Sequence, residues 1–129
     1  MASSKPLALV AEDTELGRWA IAHALHAAGF EFHASAGWVE SARWLDRADF
    51  AVAVMALSCD RDDVRHIVRH LEGRHRRTRL VVLAAQDDVA VIRREAGPGV
   101  LVLPKPIDVG QIVLAAKSVT EPGAVALGA

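Results

Sequence analysis

One cysteine, Cys59, stands among 129 residues. No internal disulfide framework can form, and no cysteine-rich zinc site exists. Such usage suits a reducing compartment. Long apolar runs are also missing. The longest, Phe50 to Leu57, is eight residues, against the roughly 20 that a membrane-spanning helix needs. An earlier run, Leu7 to Ala11, is interrupted by Glu12 and Asp13, too soon for a secretory signal. Charge of one sign is lacking too: 15 Lys+Arg oppose 16 Asp+Glu, a net charge of -1. No global field therefore steers the chain to nucleic acid or to an anionic membrane. There is no internal repeat, no low-complexity segment and no glycine-rich phosphate loop; Gly97-Pro98-Gly99 reads as a turn. These absences predict a soluble, cytoplasmic domain with no cofactor.

What is present is apolar residue in short, regular bursts. Hydrophobic residues make up 52% and charged residues 24%, so a core forms without metal or disulfide staples. The length is that of one domain, large enough to bury roughly 65–70% of its unfolded surface. Short apolar runs alternate with longer amphipathic ones, the pattern of a βα series around a parallel sheet. Strands are expected at residues 7–11, 31–34, 50–56, 80–84 and 100–103. Helices are expected at about 14–28, 38–47, 60–71, 87–95 and 108–119. Asp13 or Thr14 caps the first helix, whose apolar face reads as Leu16, Ala20, Ala24 and Ala27, and Gly29 ends it. Val39, Ala42 and Leu45 form the apolar stripe of the second helix. Val64, Ile67, Val68 and Leu71 form that of the third, with Gly73 as its stop. The strand Phe50–Ala56 is apolar throughout, hence buried on both faces. Five strands and five helices in strict alternation predict a doubly wound, flavodoxin-like α/β fold with sheet order 2-1-3-4-5. Ligands would sit at the carboxyl ends of the strands.

Three features fall at those ends: Glu12-Asp13 after strand one, Val54 to Ser58 closing strand three, and Lys105-Pro106 after strand five. In this order and spacing the chain resembles the receiver domains of two-component response regulators, the CheY-like family, over about residues 5–119. The resemblance implies a receiver-like domain over residues 1–120 and a flexible tail over 121–129. It also implies a chemistry. In the family an aspartate ending strand three takes a phosphoryl group, an acidic pair holds Mg²⁺, and a Ser/Thr and a lysine contact the phosphoryl oxygens. An aromatic residue on strand five then swings inward.

Glu12 and Asp13 match the acidic pair, Lys105 the lysine, and Pro106 the proline after it, where the family usually has a cis peptide. The phosphoacceptor position falls on Val54, which has no nucleophilic oxygen. The hydroxyl position falls on Ala84 and the switch position on Val102. Neighbouring Ala53 and Met55 are equally inert. The resemblance therefore implies a degenerate receiver with no catalytic residue. Glu12, Asp13, Ser58, Lys105 and Pro106 are left as the remnant of the pocket. Glu12 and Asp13 alone form at most a weak Mg²⁺ site. Lys105 is expected to neutralise this pair directly.

Other features have simpler readings. Between residues 61 and 79, seven arginines oppose Asp62, Asp63 and Glu72. This basic stretch reads as the solvated face of the third helix or as a docking patch for an acidic partner. It lacks the aromatic interleaving that single-stranded nucleic acid would use. His66 and His70 have an i, i+4 spacing but no carboxylate between them, so a surface pair is expected rather than a zinc site. His23 and His26 read as partly exposed. Trp19, Trp38 and Trp44 are either core fillers or interface anchors. Cys59 reads as an inert thiol, and no Ser/His/Asp set converges as a catalytic triad.

The expected function is phosphorylation-independent signalling by protein–protein contact, not enzymatic catalysis. Family resemblance points to the face of helix four, strand five and helix five for a protein partner or a homodimer. No membrane contact is expected, and nucleic acid is not an expected partner of this chain alone. Two alternatives stay open: a small-molecule sensor using the remnant pocket, and a phosphoacceptor using a displaced acid, Asp60, Asp62 or Asp63. Residues after 119 are too few for an output domain, so the chain reads as a stand-alone receiver or a piece of a longer regulator.

Overall fold

The computed structural model describes residues 5–57, 61–74 and 77–118. Ser58, Cys59 and Asp60 lie outside them, as does the tail expected at 121–129. Five strands alternate with five α-helices: β1 (Leu7–Ala11), α1 (Glu15–Ala27), β2 (Glu31–Ser35), α2 (Trp38–Arg47), β3 (Val52–Met55), α3 (Arg61–Arg74), β4 (Arg79–Ala84), α4 (Val89–Ala96), β5 (Leu101–Pro104) and α5 (Val109–Ser118). A short 3-10 turn, Gln86–Asp88, leads into α4. All pairings are parallel and the order is β2-β1-β3-β4-β5, as the alternation predicts.

The central strands bury both faces because helices cover both sides. On one side Leu9, Ala53, Met55 and Val82 pack under Leu45, Val64, Ile67, Leu71, Ile92 and Ala96. On the other, Val10, Val52, Val54 and Val81 pack under Ile21, Leu25, Ile112 and Ala116.

Local chemistry sets the helix ends. Thr14 caps α1, its hydroxyl accepting the Gly17 N–H at 3.1 Å. Gly29 closes the helix at φ +101°, with its own N–H bonded to His26 and that of Phe30 bonded to Leu25. Gly97, at φ +88°, does the same after α4.

Two expected helical faces are rotated in the fold. α1 buries Ile21, Ala22 and Leu25, leaving Leu16 78% exposed. α2 buries Ser41 and Leu45, leaving Val39 69% exposed. Spacing reveals a stripe, but contact with the sheet decides which stripe is used. The large Ile21 and Leu25 bury more apolar surface than the alanines at 20, 24 and 27 would. The third helix also runs past Gly73 to Arg74, since an isolated glycine weakens a helix by only about 1 kcal/mol.

Candidate functional site

The topology brings the predicted residues together at the carboxyl ends of β1, β3 and β5. Val54 of β3 lies in register with Val10 of β1 and Val81 of β4. It is fully buried in the apolar layer under α1 and α5. Ala84 is buried at the end of β4, and its carbonyl accepts the Lys105 N–H at 2.8 Å. Val102 is buried on the opposite face of the sheet beside Ile92 and Ala96. Its carbonyl accepts a hydrogen bond from Arg93 Nη2 of α4 at 3.3 Å. The Lys105–Pro106 bond is cis.

Glu12 follows β1, is only 5% exposed, and turns onto α1 rather than toward Lys105. Its Oε2 accepts the Thr14 N–H at 2.7 Å and also the Thr14 hydroxyl. Its backbone carbonyl accepts from Arg18 Nη1 at 2.8 Å. A carboxylate is well placed here because the first turn of a helix carries unsatisfied N–H groups and partial positive charge. Gly17 makes room for it: a Cβ there would overlap Glu12 Oε2 and lie 2.7 Å from Thr14 Oγ1.

Lys105 is expected to neutralise the acidic pair, but the hydrogen bonds of the Glu12 carboxylate are to Thr14 and not to Lys105. Instead the Thr14 N–H and hydroxyl supply hydrogen bonds to Glu12 Oε2, as water would in an open pocket. Asp13 is exposed. The Thr14–Gly17 cradle was missed by sequence reasoning, although a threonine cap followed three residues later by glycine was a visible signal.

The basic stretch is partly consumed by structure. Arg65 of α3 donates to Glu95 of α4 at 2.9 Å and lies 3.5 Å from Asp62. The hydrogen bond and opposite charge of Glu95 hold the Arg65 guanidinium above its ordinary pKa, against some desolvation. His70 meets Asp46 of α2 at 2.9 Å, and His66 contacts the Asp62 carbonyl at 2.8 Å. α3 is thus tied to both neighbouring helices, and its two histidines serve different partners. No group of three His, Cys, Asp or Glu side chains among the described residues is arranged to hold a metal.

The tryptophans divide. Trp38 and Trp44 pack against the core, and Trp44 stacks on His33 at a centroid distance of 4.0 Å. Trp19 is 62% exposed and stacks on His23 at 4.9 Å. Two cavities open elsewhere. One of about 600 Å³ lies between Leu71, Thr78 and the Gly97-Pro98-Gly99 turn. The other, about 450 Å³, lies between α1 and β2. Glu12, Asp13 and Lys105 line neither.

The sequence matches no family model and no curated protein. Solved structures share its shape. The chemotaxis protein CheY4 of Vibrio cholerae is 17% identical, with a TM-score of 0.73 over 90% of this chain and 99% of that one. The signal receiver domain of an HD domain-containing protein from Pseudomonas fluorescens Pf-5 is 16% identical, with a TM-score of 0.76 over 91% and 95%. A response regulator receiver protein from Sinorhizobium medicae WSM419 is 19% identical, with a TM-score of 0.75 over 90% and 94%. The fold is that of a receiver domain.

Within a receiver fold, Glu12, Asp13, Val54 and Lys105 occupy the region where the resemblance implies Mg²⁺ and phosphoryl chemistry. The described residues supply an incomplete ligand set for the metal. Mg²⁺ requires hard oxygen ligands in near-octahedral order. Val54 offers none, and Glu12 Oε2 is already committed to Thr14. No helix of the described residues is long and apolar enough to cross a membrane.

Proposed function

We propose that this chain is a receiver-fold signalling module that acts by protein–protein contact without phosphorylation. The observation that carries the reading is the full burial of Val54 between Val10 and Val81. A valine has no oxygen with which to form an acyl phosphate, and water and phosphodonor do not reach it. Buried Ala84 and Val102 support the same reading, since neither supplies a hydroxyl or a mobile aromatic ring. So does Glu12, drawn onto α1. The module is not an enzyme in this reading, and it acts in the cytoplasm. Its partner is a protein meeting the face of α4, β5 and α5, where Leu101 and Val109 are exposed. In this reading Glu12, Asp13, Lys105 and Pro106, together with Ser58 outside the described residues, are the positions left over from a phosphoacceptor pocket.

The test is an amide NMR titration with Mg²⁺ and then beryllofluoride, with intact mass measured after incubation with acetyl phosphate. The expected result is no saturable shift near Glu12, Asp13, Ala84 or Lys105 and no added phosphoryl mass. A stable phosphoryl adduct abolished by changing Asp60, Asp62 or Asp63 would overturn it in favour of a displaced acceptor. Saturable shifts with a small metabolite would replace it with a sensor.

A further inference from the structure

No further inference is drawn: the strongest candidate, the apolar cavity of about 600 Å³ between α3, the start of β4 and the Gly97-Pro98-Gly99 turn, is walled by two elements whose connection through residues 75 and 76 lies outside the described residues, and nothing in the structure shows what covers it.

Discussion

The carboxylate of Glu12 and the hydroxyl of Thr14 are hydrogen-bonded across the start of α1, and Gly17 passes directly beneath them. The acid that follows β1 is held as part of a helix cap. Adding a methyl at Gly17 must displace this cradle. Gly17→Ala should cost about 1–3 kcal/mol, although alanine is otherwise the better helix former. In a Glu12→Ala background the same change should cost markedly less. A double-mutant cycle by urea unfolding reads the coupling. Additive costs would mean that Glu12 does not sit over the helix.

Val54 is the deepest test of the site. Replacing it with aspartate puts a carboxylate between Val10 and Val81 with no partner. Burying an unpaired charge is among the costliest single changes. Val54→Asp should lose more than about 3 kcal/mol, measured as a drop in the urea midpoint. A variant as stable as the parent would mean that water and cations reach this position after all.

The buried face of α1 separates two residues that sequence reading treats alike. Leu25 is fully buried and Leu16 is 78% exposed. Leu25→Ala should cost about 2–5 kcal/mol. Leu16→Ala should stay within about 0.5 kcal/mol. Thermal melts of the two variants decide it, and equal losses would contradict the observed helix orientation.

The Arg65–Glu95 pair joins α3 to α4, but the Arg65 side chain is 42% exposed. Solvent and salt screen such a pair. Glu95→Gln should therefore leave the melting temperature almost unchanged, and the difference should shrink further in 1 M salt. A larger, salt-independent loss would mean that the contact is sealed from water.

Much of this protein was determined by its sequence alone. Alternation of apolar runs such as Val52–Met55 with amphipathic stretches dictates the βα series, because a strand buried on both faces and a helix buried on one require different periodicities. Thr14 and Gly29 mark the two ends of α1 because capping is a local, stereochemical matter. The apolar character of positions 54, 84 and 102 was equally legible. What only the tertiary structure decided is which surfaces meet. Ile21 and Leu25, rather than Leu16, face the sheet because packing selects the bulkier stripe. Glu12 bonds Thr14 rather than Lys105 because the chain turns immediately after β1 and the helix terminus, two residues away, reaches the carboxylate first.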